Sequence, residues 1–146
     1  MERAYDESYR YERIKLSVDI LRQVIFRRNK LGKKSLAFSV TELRKLDLSE
    51  IDFSGVYMCM SNLSYTNANI NPQTVWYKNL YGANLEGLDL SGKDFTGVDI
   101  SGANLSNTGA DIDPQKIFDK NLRGANLEGL DLNGKDFTDV YIKGAN

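Results

Sequence analysis

The sequence predicts an all-β solenoid, a stack of four-sided coils behind an N-terminal helical region. Three observations predict it. Residues 46–87 and 88–129 match at 25 of 42 positions without a gap, and a third partial copy, 130–146, matches at 13 of 17. A large apolar residue falls on every fifth position within these copies. Ten of the twelve glycines stand two residues after one of those apolar positions. A fixed period of this length marks a stacked-repeat rod and not a closed globule.

The apolar series runs Leu48, Phe53, Met58, Leu63, steps by seven to Ile70, then continues through Val75, Leu80, Leu85, Leu90, Phe95, Ile100 and Leu105. A second step of seven leads to Ile112, Ile117, Leu122, Leu127, Leu132, Phe137 and Ile142. A period of five fits neither the 3.6 of a helix nor the 2.0 of a strand. It fits a chain that turns a corner every five residues, with four sides closing each coil and coils about 4.8 Å apart. Glycine suits such corners, where a Cβ is unwelcome. Sorted by side, the centres form four ladders. They are Leu48, Ile70, Leu90, Ile112 and Leu132; then Phe53, Val75, Phe95, Ile117 and Phe137; then Met58, Leu80, Ile100, Leu122 and Ile142; and Leu63, Leu85, Leu105 and Leu127. Small or aliphatic residues two before many centres, such as Ala83, Val98 and Ala103, complete a narrow core.

The tripeptides Ala83-Asn84-Leu85, Ala103-Asn104-Leu105, Ala110-Asp111-Ile112 and Ala125-Asn126-Leu127 resemble the A-(D/N)-L-x-x motif of the pentapeptide-repeat family. The resemblance covers residues 46–146 and implies a right-handed quadrilateral β-helix. Two features depart from the family pattern. Gln73, Lys78, Lys93, Gln115, Lys120 and Lys135 fall at inward positions, so the lysines must snorkel or the register must bend. Asn71-Pro72-Gln73 and Asp113-Pro114-Gln115 carry a helix-start signal, an N-cap followed by proline. The expectation is a short helical turn near 72–78 and 114–120, holding the two residues by which 42 exceeds 40.

Residues 1–45 have another character and form the expected helical region, with the solenoid domain at 46–146. Tyr11, Ile14, Val18, Leu21 and Ile25 make one apolar stripe of a helix near 10–30. Ser39-Val40-Thr41-Glu42 has the capping-box pattern, predicting a short helix through Lys45. The region reads as a cap over the first coil, as solenoids require, with a partner-binding or dimerising helix as the alternative.

Charge divides at the same boundary. Residues 1–45 carry 12 basic and 6 acidic side chains, and 46–146 carry 7 basic and 14 acidic. The basic run at Arg27, Arg28, Lys30, Lys33 and Lys34 lacks interleaved aromatics, which favours a solvated helix end over a nucleic-acid or membrane contact. Asp47, Asp89, Asp111 and Asp131 precede centres on one side, and Asp52, Asp94 and Asp136 on the next. These outward carboxylates read as ordinary solubility or as an array that imitates phosphates, with Asp89, Asp94, Asp111, Asp131 and Asp136 as the candidate partner-binding residues. Asn62, Asn84, Asn104, Asn126 and Asn146 form a neutral column read as structural.

There is no histidine, no phosphate-binding glycine loop, no nucleophile elbow and no zinc-ligand spacing. Carboxylates on a convex rod lack the concave setting that shifts pKa values. The reading is therefore non-catalytic, with no cofactor and no metal. The single cysteine, Cys59, is expected to point outward. With no signal peptide and no apolar run of membrane length, a cytoplasmic location is expected. Trp76 and Phe118 are candidate exposed aromatics, with packing against the rod as the other use.

Three function classes stand at this point. Some members of the pentapeptide-repeat family resemble B-form DNA and bind DNA gyrase. The resemblance thus implies a protein-binding rod that acts on a topoisomerase or nuclease, although no gyrase-contacting loop can be matched. The alternative is a structural or regulatory scaffold unrelated to nucleic acid. An enzyme ranks below both. The expected partner is another protein, with no direct nucleic-acid or membrane contact. Self-association through the N-terminal helix or the open C-terminal coil is a further expectation.

Overall fold

The computed structural model describes residues 19–23, 27, 36–37 and 43–146. The chain winds into coils joined by parallel backbone pairing. Asn62 pairs with Asn84, Asn84 with Asn104, and Asn104 with Asn126, so coils of 22 and 20 residues alternate and two make one repeat. Regular sheet is sparse because a five-residue side spends half its length on a turn. The only two-residue pairing among the described residues joins β1, Leu36–Ala37, to β2, Val56–Tyr57. Elsewhere the pairing is by isolated bridges, on the sides of the third and fourth ladders.

The corner is a single repeated device. The carbonyl of most centres accepts the N–H three residues on, as in Phe53 to Val56, Leu80 to Ala83 and Ile100 to Ala103, each at 3.0 Å. The residue two after the centre has positive φ at most corners, 66° at Gly55, 62° at Gly82 and 66° at Gly102. That is the geometry of a type II turn, which glycine satisfies without strain. Met60, Tyr65, Asn107 and Asp139 occupy the same corner position with φ between 56° and 61°, at a cost of about 1–2 kcal/mol each for an L-residue.

Every centre from Leu48 to Leu127 is buried, and so are the small or aliphatic residues two before, such as Val56, Ser61, Ala103 and Ala125, while Gln73, Lys78, Lys93, Gln115 and Lys120 at the same position are half-buried. The series fails at its last members. Leu132 is half-buried, Phe137 is 37% exposed and Ile142 is 54% exposed. They lie on the coil that ends at Asn146.

Backbone bonds support the third and fourth ladders directly. Leu80 donates to Asp99, Leu122 to Tyr141, Leu63 to Asn84 and Leu85 to Asn104. The second ladder is offset. Gly55 donates to Thr74 and Gly97 to Lys116, which sets Phe53 level with Gln73 and Phe95 level with Gln115, instead of with Val75 and Ile117. The glutamines bond across to the next coil. Gln73 Nε2 donates to the Asp94 and Thr96 carbonyls at 3.1 and 2.9 Å, and Gln115 Nε2 to those of Asp136 and Thr138 at 3.1 and 2.9 Å. The inward lysines snorkel. Lys93 Nζ reaches Asn69 Oδ1 at 2.8 Å, and Lys135 pairs with Asp111.

The expected helical turns are shorter than predicted. Asn71 Oδ1 accepts the Gln73 N–H and Asp113 Oδ1 that of Gln115, both at 3.0 Å, so both caps form. The turn closes at Thr74 and Lys116, whose N–H groups bond the Asn71 and Asp113 carbonyls. Val75 and Ile117 then return to extended angles, with ψ of 156° and 164°. The following 3₁₀ turns, Trp76–Lys78 and Phe118–Lys120, contain left-handed pairs: Tyr77 and Lys78 at φ 52° and 51°, Asp119 and Lys120 at 50° and 49°. The two extra residues sit here. The donors Gly55 and Met60 are five residues apart, while their acceptors Thr74 and Tyr81 are seven apart. The same step recurs between Lys116 and Arg123, opposite Gly97 and Gly102. A helix would carry its side away from the ladder; a left-handed bulge absorbs two residues and rejoins it.

Residues 19–23 and 27 are helical, and Leu21 is buried in the same apolar cluster as Leu43 and Leu48. The rest of the predicted helix over 10–30 lies outside the described residues, as does the capping box at 39–42. Coil pairing begins ahead of Leu46, where the sequence repeat starts: besides β1, Leu43 donates to Asn62 and Lys45 to Ser64. The predicted short helix through Lys45 is replaced at its described end by a corner, with Leu46 N–H bonded to Leu43 O and Lys45 at φ 60°.

Phe95 is 4% exposed in the middle of the rod, and its truncation to alanine should cost about 3–5 kcal/mol in chemical unfolding. The same truncation at Phe137, on the coil that ends at Asn146, should cost clearly less. Equal losses at the two positions would contradict a core that runs along the rod axis.

Candidate protein-binding surface

The residue before a centre, when Asp or Asn, folds back on its own corner at most positions, Asn69 and Asp111 excepted. Its Oδ1 accepts the backbone N–H two residues on: Asp89 from Ser91 at 3.1 Å, Asp94 from Thr96 at 2.8 Å, Asp131 from Asn133 at 3.0 Å and Asp136 from Thr138 at 2.8 Å. Asn62, Asn84, Asn104 and Asn126 do the same for Ser64, Glu86, Ser106 and Glu128. This is the Asx turn, and it gives the acidic and the amide columns one structural task. Stacking of amide on amide is minor. Asn146 Nδ2 reaches Asn126 Oδ1 at 3.4 Å.

All five candidate carboxylates, Asp89, Asp94, Asp111, Asp131 and Asp136, are exposed. Asp94 and Asp111 share one shallow depression with Asp113, Lys93 and Lys116. The acidic flank is interrupted by cations. Lys116 bonds Asp113 at 2.8 Å and Lys135 pairs with Asp111. Asp111 is the member of the five held by a lysine instead of by its own backbone.

Turn bonds set the acidities. The Ser91 backbone N–H, then its hydroxyl, holds Asp89 below the ordinary carboxyl value. Thr96 does so for Asp94 through its backbone first, helped by Lys78 and Lys116. The Thr138 side chain and backbone lower Asp136, the Lys116 ammonium leads for Asp113, and Asn67 leads for Asp47, where Arg22 adds a smaller attraction.

On another side of the rod the surface is aromatic. Tyr77 is 82% exposed and Tyr141 55%, while Met60, Tyr81 and Phe118 stand near half exposure. Trp76 is half-buried and meets Tyr77 edge-to-face at 4.8 Å. The Arg123 guanidinium lies 4.7 Å above the Tyr141 ring. Of these side chains only Trp76 and Phe118 were legible as candidates. The signal that marks Tyr77 is its place in the two-residue excess of the repeat.

Cys59 was expected outward and is buried, 8% exposed. Tyr57, two residues earlier, is hydrogen-bonded to its sulfur, which pushes the phenol up. No group of three or more potential metal ligands gathers among the described residues, and no helix among them is long and apolar enough to cross a membrane.

A carboxyl with a depressed pKa stabilises the fold where the unfolded chain is also ionised, above about pH 4. That contribution is lost as pH falls through the lower folded value. The melting temperature should therefore stay level from neutral pH to about 5 and fall below about 4. Replacing Asp89, Asp94 and Asp136 together by asparagine, which keeps the turn bond, should make the acid fall shallower. An unchanged acid profile would show that these turns do not couple protons to folding.

The family model for pentapeptide repeats matches eight copies over residues 79–108 and 121–146. Among solved structures, a pentapeptide repeat protein from the thylakoid lumen of Arabidopsis thaliana matches at 23% identity and a TM-score of 0.24. The match covers 80% of this chain and 64% of that one. No curated protein matches the sequence. Proteins of this repeat class are generally non-catalytic scaffolds. The five-residue corners and the eight copies matched over residues 79–108 and 121–146 support the pentapeptide-repeat family for the solenoid part of the chain.

Proposed function

We propose that this chain is a non-catalytic protein-binding scaffold that meets a basic partner surface through the flank bearing Asp89, Asp94, Asp111, Asp131 and Asp136. The observation behind this reading is the fixed presentation of exposed charge. Four of these carboxylates are tied to their own corners at 2.8–3.1 Å, and each retains acceptor sites for a second donor. Little side-chain freedom remains to be lost on binding, which lowers the cost of association.

Imitation of DNA is the narrower version, with a topoisomerase or nuclease as partner. Charge density argues against it. The last three coils of the flank carry Asp89, Asp94, Asp111, Asp113, Asp131 and Asp136 against Lys93, Lys116 and Lys135, which leaves about one net charge per 5 Å at the usual coil spacing. Duplex DNA carries one per about 1.7 Å. A mixed-charge protein interface fits the interruptions better than a phosphate backbone does.

The test is capture of partners by immobilised protein at low and at moderate salt. It is repeated with Asp89→Asn, Asp94→Asn, Asp131→Asn and Asp136→Asn combined. Partners should be held by the unchanged protein at low salt and lost in the variant, with salt weakening the capture. Equal capture by the variant would remove the flank from the interface. Inhibition of gyrase or a nuclease that disappears in the variant would reinstate the DNA-mimic reading.

A further inference from the structure

One side of the rod is organised differently from the acidic flank. Met60 donates to Tyr81, Gly82 to Ser101, Gly102 to Arg123 and Gly124 to Lys143, so these four residues stack in one column, exposed at Tyr81, Arg123 and Lys143 and buried at the small Ser101 between them. Beside it runs a bare strip of glycines headed by Met60, whose sulfur lies over Gly82. The Trp76–Lys78 and Phe118–Lys120 bulges open this side. Five of the nine exposed large apolar side chains among the described residues gather here. Tyrosine, tryptophan, methionine and arginine are the residues enriched at interface cores.

The arrangement has a centre. Tyr81 lies one coil before Ser101 and Arg123 one coil after it. The bulges are placed in the same way around the coil containing Val98 and Asp99: Asp99 N–H bonds Lys78 O, and Phe118 N–H bonds Val98 O. Tyr77 and Asp119 hold equivalent bulge positions, at φ 52° and 50°. A two-fold axis in the plane of this face, perpendicular to the rod at the Ser101 coil, preserves each column and reverses its order. It sets Tyr81 against Arg123 of the second copy, the Tyr77 phenol against the Asp119 carboxylate, and Trp76 against Phe118, each twice.

These pairs are attractive, and the chain already makes two of their kinds internally: Arg123 over Tyr141 at 4.7 Å, and the Tyr65 hydroxyl on the Glu86 carboxylate. A parallel arrangement would bring Arg123 and Lys143 of both copies to one height. The antiparallel arrangement places them at opposite ends, and leaves Lys78 and Lys120, half-buried in the bulges, as the cations that share a height.

We propose that this aromatic side is a homodimer interface, occupied by a second copy of the chain running antiparallel about the Ser101 coil. It is a different surface from the acidic flank and leaves that flank free. From Met60 to Gly144 the strip spans about 19 Å, four coil steps. A strip of this length makes a small interface, so dimerisation should depend on concentration.

The experiment is sedimentation velocity across a concentration series, with circular dichroism to verify folding. The unchanged protein should dimerise. Tyr81→Arg sets two like charges against each other at each contact and should raise the dimer dissociation constant roughly tenfold or more. Arg123→Glu combined with Tyr81→Arg sets opposite charges there and should restore dimerisation to within about threefold of the original. Tyr77→Asp, opposed by Asp119, tests the same interface through the bulges and should dissociate the dimer independently. A monomer at every concentration overturns the proposal. So does a Tyr81→Arg protein that still dimerises, or a folded double variant that does not recover.

Discussion

The structure depends on one backbone corner made every five residues. The centre's carbonyl takes the N–H three positions on, the residue between turns left-handed, and the Asx side chain before the centre takes the N–H on its other flank. Once that corner is fixed, side length is fixed, and with it the two inward positions per side. The core can then be only as wide as a centre and its small companion. Four short walls pack their centres against one another along a narrow axis. Chemistry is confined to an outer surface whose side chains repeat at the coil spacing. A scaffold is what such a geometry can be.

The corner also separates structural need from surface choice. Asn62, Asn84, Asn104 and Asn126 cap their corners as Asp89, Asp94, Asp131 and Asp136 cap theirs. The fold therefore accepts either residue, and the charge is not required by the turn. Asparagine would avoid the repulsion of stacked carboxylates. Aspartate on two sides and asparagine on a third is a difference that backbone geometry does not dictate. The lysines between the carboxylates temper the field without cancelling it, as Lys135 does for Asp111.

Much of the rod was legible because its rule is local. Spacing alone located every buried centre from Leu48 to Leu127, and glycine located most corners. What spacing could not show depends on contacts between coils. Met60 and Tyr65 occupy the glycine position without being glycine, because the stacked coil enforces the turn. Gln73 and Gln115 looked like misplaced polar residues until the offset of the second side brought their amides to the carbonyls flanking Phe95 and Phe137. Phe137 and Ile142 obey the pattern and are exposed, since burial belongs to the stack and not to the pentapeptide. The acidic candidates were legible as outward positions. Their turn bonds follow from the Asx-turn rule, which two-residue spacing to Ser91 or Thr96 would have signalled.

The two-residue excess in each 42-residue repeat is the departure with most consequence. Twenty residues suffice to close a coil, as the pairing of Asn84 with Asn104 demonstrates. Yet alternate coils carry Tyr77-Lys78 and Asp119-Lys120 in left-handed conformations, at about 1–2 kcal/mol per non-glycine residue. Neither pair adds a buried side chain. The Asn-Pro-Gln and Asp-Pro-Gln turns before them restore the ladder through a side-chain amide, so the bulge is built into the coil on both occasions. What the bulges do is lift Tyr77 and Phe118 clear of a flat wall. Strain held in the same place twice, with exposure as its visible result, marks an interaction surface more strongly than aromatic composition alone. On that reasoning the functional asymmetry of the rod arises where the five-residue rule is broken.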